Sequence, residues 1–274
     1  MAINYASKYS SAIDERFKLG AVTAPAINND YDFVGVKTVN VYSIPTAPMN
    51  DYTRTGTNRY GNPEELENTV QELTLSQDRS FTFSIDKGNY VDTQMSSAAG
   101  KALQRQLDEV VIPEMDIYRI SAMCAAEGIN KSAAAAITKE NAYEAFLDGT
   151  TALTNNKVPV NGRIAFVSAA FYKLIKLDDT FIKASDMAQN MLLKGAVGQI
   201  DGIPLILVPD SYLPENTSFV ITHPTATVAP VKLAEYKVHE NPQGINGWLV
   251  EGRIYYDAFV LTNKAKAIYV HKTA

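Results

Sequence analysis

The residues from 45 to 78, PTAPMNDYTRTGTNRYGNPEELENTVQELTLSQD, carry three prolines, two glycines and many Asn, Asp, Thr and Arg, with few aliphatic side chains. Ordering a chain costs roughly 1–2 kcal/mol per residue in backbone entropy, and buried apolar area is what offsets it. This stretch cannot build a core alone. It is also far longer than the few residues that usually join elements of a compact domain. Two readings stay open on composition. One is a solvated loop. The other is a long two-stranded projection whose flanking strands leave the body, run out and return, and which is marginal until another surface supports it. Charge divides along it: Arg54 and Arg59 lie on the outgoing half, and Glu64, Glu65, Glu67, Glu72 and Asp78 on the return. Such a polarity suits setting register against a neighbouring copy of the chain. Arg54, Arg59, Glu64, Glu65 and Glu67 are therefore the candidate inter-subunit contacts.

The flanks are strand-like. Val34, Val36, Val39 and Val41 alternate before the stretch, and Phe81, Phe83 and Ile85 alternate after it, the period of a half-buried strand. Residues 1–40 otherwise show no sustained period and read as an extended arm. Downstream, Ala99, Leu103, Leu107, Val110 and Val111 recur at spacings of three and four, so a long amphipathic helix is expected from near Gln94. Pro113 has no amide hydrogen and its ring collides with the preceding turn, so it must kink or split that helix. Gly128 ends the block. Cys124 and Met123 continue the apolar stripe, which makes Cys124 a buried thiol rather than a catalytic one.

From residue 138 the elements alternate. Thr138 is placed to cap a helix through Ala142, Phe146, Leu147 and Leu153. Residues 163–167 form a short apolar strand that passes at Ser168 into a second helix, 169–176, with Ser168 as its cap. Strands follow at 196–200, 203–208 and 219–222, with Asp201-Gly202 a hairpin turn because both positions favour positive φ. The tail adds strand-like runs at 228–238, 248–261 and 267–271, joined by NPQGING and TNKAK. The fold class is α+β.

Of 274 residues, 46% are apolar and 20% charged, the composition of an ordinary globular protein. Tight nucleic-acid binding needs a basic excess to displace counterions, whereas this chain has 25 Lys and Arg against 30 Asp and Glu. One cysteine rules out an internal disulfide and every multi-cysteine metal site. No apolar run approaches the roughly 20 residues of a membrane helix, and none has the form of an export signal. His223, His239 and His271 lack metal-ligand spacing, GAVGQIDG has the wrong spacing for a phosphate loop, and Ser168 lacks the flanking glycines of a hydrolase nucleophile. Asp178-Asp179 reads as a solvated acidic pair. No catalytic, cofactor-binding or metal site is expected, and an enzyme is disfavoured.

The order of an arm, a long polar hairpin, one long helix, an α+β unit and strands returning to that helix resembles the tailed-bacteriophage major capsid protein, with the HK97-like fold, over the whole chain. The likeness is carried by VKTVNVYSIPTAPMNDYTRTGTNRYG, by GAVGQIDGIPLILVP, which is similar to the hairpin of the family's axial domain, and by WLVEGRIYYDAFVLTNKAKAIYV. These segments also resemble capsid proteins of phages of Gram-positive bacteria. The resemblance implies an N-terminal arm over 1–40, an extended loop over 41–92, a peripheral domain with a spine helix over 93–137, an axial domain over 138–240, and C-terminal strands over 241–274 completing both domains. It implies a structural coat protein that self-assembles as pentamers and hexamers into an icosahedral head shell in the virion, put together in the host cytoplasm. Its implied partners are other copies of itself, a separate scaffolding protein, a portal and weakly contacted double-stranded DNA, with no membrane and no cofactor. Fifteen tyrosines, six of them before position 61, suit semi-polar interfaces, and Pro45, Pro48 and Gly88 are expected to let the hairpin pivot.

Two rivals stand beside this reading: an encapsulin-like nanocompartment shell with the same fold and an enzyme cargo, and a soluble α+β enzyme with the polar stretch as a lid. Some relatives crosslink through a lysine of the extended loop, but no lysine falls between Lys37 and Lys87 here. Denaturing electrophoresis of assembled protein is expected to give one band at 30.0 kDa; a ladder of multiples would contradict this. Removal of an N-terminal segment is not expected either.

Overall fold

A computed structural model describes residues 21–31, 33, 37–44, 46–63, 65–66, 68–88, 98–178 and 198–273. Strands β1 (Thr38–Ser43), β2 (Thr69–Thr74) and β3 (Gln77–Asp86) come first. A helical rod follows, made of α1 (Ala98–Gln106), a π segment (Leu107–Val111) and α2 (Ile112–Ala125). After β4 (Asn130–Lys131) come α3 (Ala142–Asn155), β5 (Ile164–Ser168), α4 (Ala169–Lys176), β6 (Gln199–Ile200), β7 (Ile203–Val208) and β8 (Thr217–Thr222). The chain then runs through β9 (Thr227–Val228), β10 (Val231–Glu240), β11 (Gly247–Tyr256), β12 (Phe259–Val260) and β13 (Ile268–Lys272).

The split expected at Pro113 takes the form of a change of helix type. Ile112 N donates to the Leu107 carbonyl, five residues back, and Pro113 follows in the first turn of α2. A proline removes one i to i−4 bond and crowds the carbonyl of residue i−4. The wider π turn makes room for it without interrupting the rod, which is about 40 Å long at 1.5 Å per residue.

The rod serves two cores. Its first half packs on an antiparallel sheet ordered β10-β11-β3. There Leu103, Leu107, Val111 and Met115 meet Phe81, Phe83, Tyr236, Val250, Ile254 and Tyr256. Its second half, through Ile120, Met123 and Cys124, packs on a six-stranded sheet ordered β4-β13-β8-β5-β7-β6, against Ile164, Phe166, Val220, Ile268 and Val270. Their neighbours Ala165, Val167, Phe219, Ile221 and Tyr269 face the other way, toward Phe146 and Leu153 of α3 and Phe171 and Ile175 of α4. A sheet covered on both faces needs apolar residues at every position, which is why β5 reads as an unbroken apolar run.

Between the two apolar stretches of the rod lie Asp116 and Arg119, both buried. Asp116 accepts from Val22 N at 3.0 Å, from Thr23 N at 3.3 Å and from the Thr23 hydroxyl, to which Arg119 Nη1 also donates at 3.2 Å. Part of the arm expected over 1–40 therefore rests on its own chain's body. Ala26 is fully buried, and Asn28 N donates to Thr227 O at 2.7 Å. Residues 1–20 and 34–36 lie outside the described residues.

Several local signals land where expected. Ser168 Oγ accepts from Phe171 N at 3.0 Å, capping α4, and Asp201 and Gly202 adopt φ of 52° and 73° in the β6–β7 turn. Two expectations are corrected. Thr138 does not cap α3: its hydroxyl accepts from Glu140 N at 3.3 Å, ahead of the helix. The α3 amide of Tyr143 donates instead to Asp178 Oδ2 at 2.9 Å. Asp178 is thus a buried carboxylate at a helix N-terminus, where free amides and the helix dipole favour negative charge, and not a solvated acid. Its expected partner Asp179 is outside the described residues.

Gly247, the first residue of β11, has φ +150°, and a Cβ there would run into the Ile85 carbonyl and lie 3.0 Å from Lys87 N. Because the obstacle is backbone already paired in the sheet, Gly247→Ala is expected to destabilise the protein by about 2–4 kcal/mol. An unchanged urea midpoint would overturn that expectation.

His271 of β13 is 4% exposed, stacks on Phe219 at 5.0 Å, and has no partner for Nδ1 among the described residues. Burial lowers its pKa from 6.5, with the charge of Asp148 acting the other way. The unfolded chain then takes up this proton more readily than the folded one, so stability is complete above about pH 6.5 and falls as pH drops through that value toward the lowered folded pKa. Urea unfolding at pH 7 and pH 5 is expected to show a larger loss for wild type than for His271→Phe. Equal losses would remove His271 as the cause.

Candidate functional site

The projection is paired only at its root. β1 and β2 run antiparallel from Thr38↔Thr74 to Ser43↔Thr69, and beyond them the described residues between 44 and 68 form no strand. The hydrogen bonds and ring contact described within this segment are local. Thr53 N donates to Arg59 O at 3.1 Å, Gly61 N donates to Asn58 O at 2.9 Å, and the Tyr52 and Tyr60 rings meet edge to face at 5.1 Å.

The return limb rejoins the body sooner than its composition suggests. Leu73 and Leu75 are buried with Phe33, Val41, Val228 and Leu261 in a small core under the hairpin root. From Gln77 to Asp86 the chain is zipped along β11. Gly88 is separated from the free loop by the whole of β3, and its N–H is held by Asp86 Oδ1 at 2.7 Å, so it is not a pivot of the hairpin. Pro48 stands in the exposed loop, and Pro45 lies outside the described residues.

What the projection exposes is apolar. Tyr42, Ile44, Met49, Tyr52, Tyr60, Leu66 and Val70 are 52–97% exposed, whereas the other large apolar side chains exposed among the described residues, Val110, Val160, Leu177 and Leu207, are scattered over the body. Single exposed apolar residues need no explanation, but a concentration of them marks a surface that another molecule covers. Sequence reasoning noticed the tyrosines here and missed Ile44, Met49, Leu66 and Val70. Their signal was faint: apolar residues placed singly in a polar stretch, with no period that lets them satisfy one another.

The candidate charged contacts are not brought together within the chain. Among the described residues, no ion pair involves Arg54, Arg59 or Glu65; Arg59 Nε donates to Gly56 O at 3.2 Å. Glu64 and Glu67 lie outside the described residues. Asp78 is engaged inside the chain by Arg253, through bonds of 2.9 and 2.6 Å that lower its pKa, and Glu72 accepts from the Thr74 hydroxyl at 3.2 Å.

The remaining chemistry-bearing side chains have structural settings. His223 Nδ1 lies 2.9 Å from Thr225 Oγ1, His239 Nε2 lies 3.2 Å from Glu251 Oε2, and His271 is buried. Burial pushes the Cys124 thiol up to about 11, which leaves little thiolate at neutral pH. Among the described residues, no group of three or more His, Cys, Asp or Glu is arranged to hold a metal ion, and no helix is long and apolar enough to cross a membrane.

Closed cores carrying a projection whose apolar side chains stay bare define a structural subunit that its neighbours complete. The family model described as phage capsid protein matches residues 73–271, well over half of the sequence, and the chain belongs to the phage capsid protein family. No curated protein sequence matches it. Among solved structures it is similar to one from Mycobacterium phage Che8, with 18% identity and a TM-score of 0.67 over 92% of this chain and 90% of that one. It is also similar to the capsid structure of the cyanophage P-SCSP1u, with 12% identity and a TM-score of 0.65 over 88% of this chain and 84% of that one. A virus-like particle from Pyrococcus furiosus matches with 14% identity and a TM-score of 0.59 over 98% of this chain and 100% of that one. These likenesses show the α+β, HK97-like fold expected from the sequence. The protein is a structural major capsid protein, a component of the virion capsid whose copies assemble into a shell.

Proposed function

We propose that this capsid protein closes, as pentamers and hexamers, into the icosahedral head shell of a tailed phage around double-stranded DNA, and that it does so without catalysis. The observation that supports this most is the bare apolar projection over residues 42–70 on a chain of the capsid family. Head-to-tail contacts between identical copies generate rings, and many modest contacts engaged together make a stable assembly. On this reading residues 1–40 are the arm, 41–92 the extended loop, 93–137 the peripheral domain with its spine helix, 138–240 the axial domain, and 241–274 the strands that complete both. β10, at the end of the axial range, pairs with β11 in the sheet under the rod and is grouped here with the peripheral domain.

Exposed ion pairs contribute only about 0–1 kcal/mol each. Arg54, Arg59, Glu64, Glu65 and Glu67 are therefore proposed to set register, while Ile44, Met49, Tyr52, Tyr60 and Leu66 supply the holding contacts. A net charge of −5 suits a container whose DNA stays movable. The family resemblance adds a portal, a separate scaffolding protein and assembly in the host cytoplasm.

Negative-stain imaging of purified full-length protein, alone and with co-expressed scaffolding protein, tests the reading. Closed shells of one size are expected. Protein that stays monomeric at high concentration under both conditions would overturn it. The likeness to the P. furiosus particle supports a second reading, a cargo-loaded compartment, and the contents of native particles decide between the two: nucleic acid for a phage head, an enzyme for a compartment.

A further inference from the structure

The projection is free at its tip but tied down at its root by directional bonds. Asp257, 3% exposed between β11 and β12, accepts four hydrogen bonds. Its Oδ2 takes Ser76 N at 2.7 Å and Ser76 Oγ at 2.8 Å, and its Oδ1 takes the Tyr118 hydroxyl at 2.7 Å and Ala258 N at 2.8 Å. Ser76 is the joint between β2 and β3, and Tyr118 stands on the rod. One buried carboxylate thus joins the hairpin root, the rod and the turn that leads out of β11. On β2 itself, the Gln71 side-chain amide bonds the next segment as a neighbouring strand would: Nε2 donates to Val260 O and Oε1 accepts from Thr262 N, both at 2.9 Å. Asn263 Nδ2 adds a bond to Ser43 Oγ at 3.1 Å.

We infer that Asp257 and Gln71 are positioning residues that fix the angle at which the projection leaves the body, and through it the angle between neighbouring copies and the size to which the shell closes. The inference rests on the coat-protein reading. Apolar contacts at the root, such as Leu73 and Leu75 with Leu261, are non-directional and tolerate sliding and rotation. Hydrogen bonds weaken steeply once their angle falls below about 120°, so donors from separate elements converging on one carboxylate select one orientation. The tip magnifies any error. Half of the 44–68 segment reaches at most about 40 Å when extended, so a tilt of about 10° at the root moves such a tip by about 7 Å.

Full-length Asp257→Ala and Gln71→Leu are to be compared with wild type by hydrogen exchange on unassembled protein and by electron microscopy of assembled shells. Exchange at residues 69–76 is expected to rise about tenfold or more when the charged acceptor is lost, while the amides of β5 and the β3–β11 pairing stay within about twofold. Variant shells are expected to spread in diameter or stay open where wild type closes to one size. Asp257→Asn, whose single amide oxygen can face Ser76 N–H or Ala258 N–H but not both, and Tyr118→Phe, which removes one bond of four, should fall between. If Asp257→Ala does not fold, Gln71→Leu on the half-buried face of β2 carries the test with Asp257 intact. Unchanged exchange at 69–76, or faster exchange with shells as uniform as wild type, overturns the inference. A wild-type chain that forms no shell overturns the coat reading instead.

Discussion

Replacing residues 46–66 with a four-residue Gly-Ser turn is expected to abolish shell formation while the body melts within a few degrees of wild type. The two outcomes separate because the loop and the body share so little. The described side chains of this segment sit outside all the buried clusters, and the first apolar residues that do join one are Val41 on the outgoing limb and Leu73 on the return. Shortening the loop also lowers its closure entropy, by about 0.6 kcal/mol for each halving of length, so the body gains slightly. Sedimentation velocity and electron microscopy read the first outcome, and calorimetry the second. Shells that persist without the loop would mean that the exposed Met49, Tyr52, Tyr60 and Leu66 hold nothing. A body that collapses would mean that the segment is part of the fold.

Arg163→Met is expected to be the most damaging single change to stability, at about 3–5 kcal/mol. The guanidinium is almost fully buried and donates four hydrogen bonds at the C-terminal end of α3: to Thr150 O at 3.2 Å, to Thr154 Oγ1 at 3.2 Å, to Val158 O at 2.7 Å and to Pro159 O at 2.9 Å. The Val158 and Pro159 carbonyls lie just past α3, whose C-terminal end is the negative end of the helix dipole and favours a cation. Burial lowers the pKa of this arginine and the charge of Asp201 opposes the shift. Methionine keeps the stem but strands the buried acceptors. Arg163→Lys, a point charge in place of a planar fork, should lose about half as much. Urea unfolding checks both, and a loss below about 1 kcal/mol for Arg163→Met would contradict the role given to it.

Signals that act over a few residues were legible in the sequence. Ser168 as a cap, Asp201-Gly202 as a turn, the alternation of Phe81, Phe83 and Ile85, and a change in the regular helix at Pro113 all follow from local sterics and periodicity. That the polar stretch builds no core of its own was legible in its composition, which left a solvated loop and a two-stranded projection both open. What escaped depends on partners far along the chain. Asp257 meets Ser76 across 181 residues, and nothing near either residue announces the other. Asp178 looks like a surface acid until α3, 35 residues earlier, turns its first amides toward it. Leu73 and Leu75 belong to the body only because Phe33, Val228 and Leu261 arrive around them. The bare apolar side chains of the projection were hidden for a further reason: on the proposed reading, the surface that covers them lies on another molecule.

The pairing of early strands with late ones also orders events in time. Among the described residues β3 pairs with β11 alone and β4 with β13 alone, so neither sheet can close while a ribosome is still making the intervening chain. The roughly 160 residues between Asp86 and Gly247 take on the order of ten seconds or more to synthesise at 5–20 residues per second, and such distant contacts form slowly even then. A nascent chain therefore has neither sheet complete until most of it has been translated, and its early strands keep unpaired edges for all that time.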